Sequence, residues 1–558
     1  MGIQALFFRS ALTFLLLSGL PAHAAPVAPD AGQTIRELQK QPELNVPKAI
    51  TPLRSDGEVA PKGTGRTDVR IAVKAIHVSG NSIYTASELE ALVANLVGGE
   101  HSLDELNQGA ARITAYYRER GYVVARAYLP EQDIRGGMVV IKVLEGIVGQ
   151  QRIDNQSRLT DERANGYLGG KSGDVLQSAP VDRTLLLLAD TPGVGGARAI
   201  LQPGASVGTS DLLIELIPSA AFVANVELDN YGNRYTGEYR LGAALALNSP
   251  LKIGDQLSMR ALTSDQDLTY ARIAYSMPLG GDGLRVGAAY SDLGYRLGKE
   301  FAGLQAHGGA INSSLFATYP LIRSLSSNLY GALTWEDKQL SDRTDVPSTV
   351  SDKHVQLASV GLAGSHQDAL GGAGVTAFDL SYVTGELGMD AVSLAADAAS
   401  ARSNGSFMRL TYSVSRLQRL SDSNILSLAF SGQQAGKNLG SSEKFILGGA
   451  TGVRAYPQGE GSGDEGWMAN LELRHSFTKE LQGVVFYDAG SATISRNAFA
   501  AGANNRTLAG AGVGITMQYG MVQFKTSVAW RTAGGQAQSE PPSANHDPRL
   551  WVQLSGQF

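Results

Sequence analysis

From residue 220 to the C-terminus, apolar and polar positions alternate in short segments separated by turns. On 221–229, Phe222, Ala224, Val226 and Leu228 share one face; Asn225, Glu227 and Asp229 share the other. On 407–415, Met408, Leu410, Tyr412 and Val414 oppose Arg409, Thr411, Ser413 and Ser415. The same dyad runs through 468–477, where Ala469, Leu471 and Leu473 oppose Asn470, Glu472 and Arg474. It recurs in 522–530, where Val522, Phe524, Val528 and Trp530 oppose Gln523, Lys525 and Ser527. Side chains alternate faces along a strand, so each segment has one apolar and one polar side. Strict dyads of about ten residues, apolar outside and polar inside, predict a membrane β-barrel. About sixteen such segments are present.

The connections alternate in length as a barrel requires. Short turns are expected at 249–255, 278–283, 476–480 and 519–521, and long polar loops at 294–309, 336–353, 386–405, 438–466 and 532–549. The last strand, 549–558, turns Leu550, Val552, Leu554 and Phe558 outward and ends on an aromatic, Phe558.

Residues 69–146 carry a different pattern. A strand over 69–78 precedes a helix over 85–97, with Leu89, Leu92, Val93 and Leu96 at helical spacing. Ser102-Leu103-Asp104-Glu105 reads as a second helix start, and Leu106, Ala110, Ile113 and Tyr117 share its apolar face. Gly121 stops that helix, and strands follow at 122–129 and 138–144. Residues 147–219 repeat this order more loosely, with a helix over 182–188 and strands over 198–203 and 211–217. Ahead of both modules, 25–68 is rich in Pro and polar residues. A helix over 33–44 followed by a linker fits this stretch, as does a leader without fixed structure.

Composition narrows the class. A charged fraction of 18% is low for a soluble protein. The 66 Gly suit tight turns and small strand positions. A net charge of −5 gives no basic excess for nucleic acid. With no Cys, disulfides and thiolate metal sites are excluded. The start reads as a secretory signal: Arg9, an apolar run over 11–20, then the small-x-small pattern Ala22-His23-Ala24. That run is too short to span a bilayer as a helix. A chain that lives in a membrane without a spanning helix must do so as a closed barrel.

Within the long loop 438–466 lies Leu447-Gly448-Gly449-Ala450-Thr451-Gly452-Val453-Arg454-Ala455-Tyr456-Pro457. Arg454 is alone among nearly uncharged residues, a setting that calls for a carboxylate partner. Asp488, in Phe486-Tyr487-Asp488-Ala489-Gly490, is the expected partner, and Glu472 is the rival. In a sixteen-strand count the loop joins strands 11 and 12, and Asp488 sits on strand 13. Phe486, Asp488 and Gly490 share its inner face, with Val485 and Tyr487 toward lipid. An Arg holds a carboxylate through two parallel hydrogen bonds, which fixes geometry as well as charge.

Val453-Arg454-Ala455-Tyr456 and Phe486-x-Asp488-x-Gly490 resemble the paired signatures of TpsB transporters, the outer-membrane half of two-partner secretion, although that family has Gly where Ala455 stands. An added methyl restricts the backbone, which matters if the position needs positive φ. Gly80-Asn81, Tyr117 to Tyr122 and Val143-Leu144-Glu145-Gly146 resemble POTRA domains. Asp229-Asn230-Tyr231-Gly232-Asn233 with Thr236-Gly237 is a further family-like piece.

The resemblance implies an outer-membrane barrel of about sixteen antiparallel strands behind two periplasmic α+β POTRA domains. Its expected divisions are a signal peptide (1–24), a plug helix and linker (25–68), POTRA domains (69–146 and 147–219) and the barrel (220–558). It implies export of one large TpsA-type exoprotein, such as an adhesin, haemolysin or haem-binding protein. The POTRA pair would capture the cargo and the lumen conduct it. Lipids and the barrel assembly machinery are further expected partners, Phe558 serving as assembly signal. The competing readings are an insertase for other barrel proteins and a passive porin. POTRA domains acting only as spacers are the alternative to cargo capture.

Other apparent motifs carry less. Gly510-Ala511-Gly512-Val513-Gly514 lies mid-strand with no following helix, so small-residue packing is expected rather than a dinucleotide loop. The eight His lack metal-ligand spacing, and neither a phosphate-binding loop nor a Ser-His-Asp arrangement is detectable. Neither enzyme activity, metal nor cofactor is expected.

Overall fold

A computed structural model describes residues 28–38, 70–134, 136–169 and 172–558. The expected signal peptide and Pro-containing linker lie outside the described residues.

Sixteen antiparallel strands close into a barrel. In chain order they are β1 (Phe222–Asp229), β2 (Arg240–Asn248), β3 (Gln256–Ser264) and β4 (Thr269–Leu279). Next come β5 (Leu284–Arg296), β6 (His307–Arg323), β7 (Ser327–Asp345) and β8 (Ser348–Asp368). Then follow β9 (Gly374–Met389), β10 (Gly405–Arg419), β11 (Asn424–Ala435) and β12 (Glu465–Ser476). The last are β13 (Leu481–Thr493), β14 (Asn505–Tyr519), β15 (Val522–Ala533) and β16 (Arg549–Gln557), which pairs back onto β1. Closure leaves no free edge, the condition for a sheet in lipid. The dyads face as the pattern requires. Phe222, Val226, Leu228, Met408, Val414, Leu471, Leu473 and Trp530 are exposed outward, while Asp229, Arg409 and Asp488 are buried inside.

One expected loop is absent. The stretch 336–353 is strand on both sides of a tight turn at Val346-Pro347. β7 and β8 run 19 and 21 residues, well beyond the roughly ten needed to cross a bilayer. Their far ends therefore stand outside the membrane. There they need no lipid face and carry polar residues on both sides, which hid the dyad. The loop over 386–405 is partly filled by the end of β9 and a helix, Ala391–Ala398.

The two N-terminal modules share one sheet plan. In the first, Met138–Leu144 is central, parallel to Ala75–Ser79 and antiparallel to Arg126–Tyr128. In the second, Thr209–Pro218 is central, parallel to Ile147–Asn155 and antiparallel to Val194–Pro203. The expected strand over 69–78 is broken at Val73 and Lys74. Arg70–Ala72 instead pairs with Glu100–Ser102. The expected strand over 122–129 shortens to Arg126–Tyr128.

The helix starting at Ser102 forms as Leu103–Glu119, fixed by a reciprocal capping box between Ser102 and Glu105. It buries Leu106, Ala110, Ile113 and Tyr117 against Val139 and Ile141. Beneath it, Glu145 accepts hydrogen bonds from Ile83 N and Tyr117 Oη at 2.9 and 2.7 Å. Burial pushes the Glu145 carboxyl up, but these bonds and those from Ser82 outweigh it and hold it below its usual range.

The second module is fastened to the turns at one barrel end. Arg323 makes a two-pronged bond to Asp190 at 2.7 and 3.0 Å. Arg158, Arg163 and Arg183 donate to the carbonyls of Asn248, Pro278 and Pro320. The short-turn end is thus the module side, and the long loops lie at the other.

Candidate functional site: the lumenal loop and its moorings

The loop between β11 and β12 folds back into the barrel and buries Leu447, Val453, Arg454, Ala455 and Tyr456. Val453 N donates to Leu447 O at 2.8 Å, closing the Gly-rich segment into a compact turn that presents Arg454 to the wall.

Arg454 meets both candidate carboxylates at once. Its Nε and Nη2 donate to Asp488 Oδ2 and Oδ1 at 2.8 and 2.7 Å, and its backbone N reaches Oδ2 at 3.1 Å. Its Nη1 donates to Glu472 Oε1 at 2.7 Å. Asp488 is fully buried on β13 and also accepts from Asn470 Nδ2 at 2.8 Å. Glu472 is shared with Arg474 through its other oxygen. The guanidinium lies 3.4 Å from the centroid of the Phe486 ring. Phe486 thus supplies a cation–π face to a desolvated cation. The rivalry between Asp488 and Glu472 is resolved by geometry: Asp488 takes the two-pronged face and Glu472 the remaining nitrogen.

The other motif residues shape the fit. Ala455 does not adopt positive φ, so no glycine is needed there. A Cβ on Gly510 would fall 2.4 Å from the Ala455 methyl, so Gly510 leaves the space that this methyl fills. A Cβ on Gly490 would lie 2.7 Å from the Leu447 side chain, which is why β13 is bare at that point. Tyr456 Oη shares its one proton between the carbonyls of Ala533 and Gly535, at 2.7 and 2.9 Å. Gly510 to Gly514 is mid-strand in β14 and packs against Ala455 and Phe486. Phe558, 59% exposed on the outer face, exchanges backbone bonds with Ala224 at the barrel closure.

Sequence reasoning missed several moorings of the same loop. Glu443, 1% exposed, accepts from Lys338 Nζ of β7 at 2.8 Å and from Arg409 Nη2 of β10 at 2.9 Å. Glu460, equally buried, accepts from Arg506 of β14 and from the backbone N–H groups of Gln538 and Ser539. Trp551 of β16 donates its Nε1–H to the Arg454 carbonyl at 2.7 Å. No local signal distinguishes these residues, because their partners are set by how the loop folds back.

The described part of the N-terminal segment also lies in the lumen. Helix α1 (Ala31–Leu38) begins two residues before the expected start; the stretch beyond Leu38 lies outside the described residues. Asp30 caps it by accepting from Gln33 N at 2.8 Å. Its apolar face buries Ala31, Ile35 and Leu38 in a cluster with Leu293, Leu340 and Leu387 of the barrel wall. Asp30 Oδ2 accepts from Ser441 Oγ at 2.7 Å and Lys353 Nζ at 3.0 Å; Ala31 N donates to Asp342 Oδ1 at 2.7 Å. Arg36 Nε donates to the Lys444 carbonyl at 3.1 Å. The helix thus touches the loop beside Glu443.

Comparison with known proteins places this architecture. Residues 208–517 match the family described as Haemolysin secretion/activation protein ShlB/FhaC/HecB, and residues 71–146 match the POTRA domain, ShlB-type. The chain is 31% identical over 484 residues to the Heme/hemopexin transporter protein HuxB of Haemophilus influenzae (strain 86-028NP), covering 84% of each. It is 25% identical over 471 residues to the Outer membrane transporter CdiB of Dickeya dadantii (strain 3937), covering 82% of each. The fold is similar to that of CdiB from Escherichia coli, with a TM-score of 0.71, 21% identity, and 95% of this chain and 96% of that one covered. The chain belongs to the ShlB/FhaC/HecB family, the TpsB outer-membrane transporters of two-partner secretion.

Proposed function

We propose that this chain carries one large partner exoprotein from the periplasm to the cell surface through its barrel, with Arg454 holding the lumenal loop in its working position. The observation that carries this reading is Arg454 clamped between Asp488 and Glu472 inside a lumen that also holds α1. A permanent pore would not need a helix of its own chain in the conduit. We read 1–24 as a signal peptide removed on export, 25–68 as plug and linker, and 69–146 and 147–219 as modules that capture the cargo. The barrel, 220–558, conducts it.

In this sequence of events α1 leaves the lumen when cargo engages the modules, while the Arg454 mooring keeps the loop ordered. The relatives' names favour a haem- or haemopexin-related cargo over an adhesin. Lipid surrounds the outward dyads, and the assembly machinery reads the terminal strand ending at Phe558. Unfolded cargo emerging at the surface would be drawn outward by its own folding.

The test is secretion of the exoprotein by cells carrying Arg454→Ala, with barrel assembly followed by heat-modifiable gel migration. An assembled barrel that does not secrete supports the reading. Secretion at the parent level would overturn it.

A further inference from the structure

The β1–β16 closure is the shortest pairing in the barrel. Its register runs over five residue pairs, from Asn225↔Gln557 to Asp229↔Gln553, and is extended by the backbone bonds that Ala224 and Phe558 exchange. Every other neighbouring pair of barrel strands shares eight or more. Past Gln553, β16 has no register partner on β1 itself; a single backbone bond, from Asn230 N to Val552 O at 3.2 Å, continues the pairing before Arg549 to Leu550 run on without one. In lipid, unpaired backbone groups are costly, so something else must close this stretch.

Two devices do so. Asn230, just past β1, lends its side chain to the ladder. Its Nδ2 donates to Leu550 O at 2.9 Å, and its Oδ1 accepts from Val552 N at 2.8 Å. The second device is the lumenal loop itself. Trp551 points inward from β16 and gives its indole N–H to the Arg454 carbonyl. Tyr231, beyond the end of β1, meets the Trp551 ring edge-on at 5.7 Å. Asn233, two residues further on, donates to the Gln458 carbonyl of the same loop at 3.3 Å. Both lips of the seam therefore rest on the segment that carries Arg454.

We infer that Trp551 is a positioning residue through which the seated loop holds the β1–β16 seam closed, so that unseating Arg454 loosens the barrel at that seam alone. The indole bond ties the loop to one lip, Asn233 ties it to the other, and Tyr231 packs that second lip against the Trp551 ring. Releasing the Arg454 side chain removes the platform that both lips share.

The chain has no Cys, so introduced thiols are unique. Spin labels at Leu228→Cys and Leu554→Cys report the seam, because these are register partners on the outer face. Labels at Leu473→Cys and Val485→Cys, register partners on β12 and β13, report a remote pairing. The readout is dipolar broadening in the full-length protein in detergent or lipid, without cargo, so it does not depend on the export reading. Trp551→Phe keeps the ring and loses the N–H. It is expected to raise the open-to-closed ratio of the seam about fivefold, equivalent to about 1 kcal/mol, and to leave the β12–β13 pair unchanged. Arg454→Ala is expected to do the same to a greater degree. Unchanged broadening at the seam, or equal loss at both pairs, would overturn the inference. Should Trp551→Phe fail to assemble, Tyr231→Leu decides by the same criterion.

Discussion

The two arms of the lumenal loop are moored differently. The tip gives one cation to two carboxylates on neighbouring strands: Arg454 to Asp488 and Glu472. The arm near residue 443 reverses the charges: one carboxylate, Glu443, takes two cations from β7 and β10. Asp488 is fully buried and Phe486 covers the guanidinium, whereas the Glu443 end lies beside α1. The difference assigns distinct tasks. The tip is anchored to the barrel wall and its seam, and the other arm is where α1 meets the loop. Departure of α1 should disturb the second mooring and spare the first.

The largest effect that sharpens this contrast is at the tip. Arg454→Ala leaves a buried carboxylate without its cation, which costs about 3–5 kcal/mol. At about 1.4 kcal/mol per tenfold, the loop should leave its seat a hundredfold or more as often. Val453→Cys, buried in the parent, should then become reactive to an impermeant maleimide from outside. Continued protection would break the contrast.

Glu443→Ala should act less strongly, because Lys338 keeps Glu336 at 3.1 Å. Loss of charged hydrogen bonds worth about 1.5–3 kcal/mol should free the arm and loosen α1 while Val453→Cys stays protected. Planar-bilayer recordings should show a higher mean conductance than the parent. If Val453→Cys also becomes reactive, the arms do not act separately.

A smaller change is expected at α1. Asp30→Ala removes the helix cap and the bonds from Ser441 and Lys353, with a cap worth about 1 kcal/mol. Conductance should flicker open more often, and export should persist. Conductance identical to the parent would remove α1 from any role as a plug.

The smallest effect lies outside the barrel. The Glu145 carboxyl is held below its ordinary value of 4.5 by its hydrogen bonds. A depressed carboxylate stabilises the fold above its unfolded value, and that contribution is lost as pH falls through the folded one. Protease sensitivity of the first module should rise on acidification below the ordinary value. In Glu145→Gln that additional acid dependence should be absent.

These residues also show where sequence reading stops. The barrel was legible because lipid on one side and polar lumen on the other force a strict dyad, as at Phe222 to Asp229. The reading failed over 336–353, where strands leave the membrane and the apolar face is no longer required. It missed the strand Ile147–Asn155, whose Gly149-Gln150-Gln151 centre carries no apolar alternation. Arg454, Asp488 and Glu472 stood out as isolated charges facing inward. Glu443 and Trp551 did not, since a strand or loop residue acquires such a partner only when the chain folds back across the lumen.

The central claim is that Arg454 and Asp488 act on export as one unit. The direct measurement is quantitative secretion by assembled Arg454→Ala, Asp488→Ala and double-variant barrels, compared as a double-mutant cycle. Interacting partners give a double variant little worse than either single one, and that is the expected result. Fully additive losses, or normal secretion by Asp488→Ala with failure of Glu472→Ala, would contradict it.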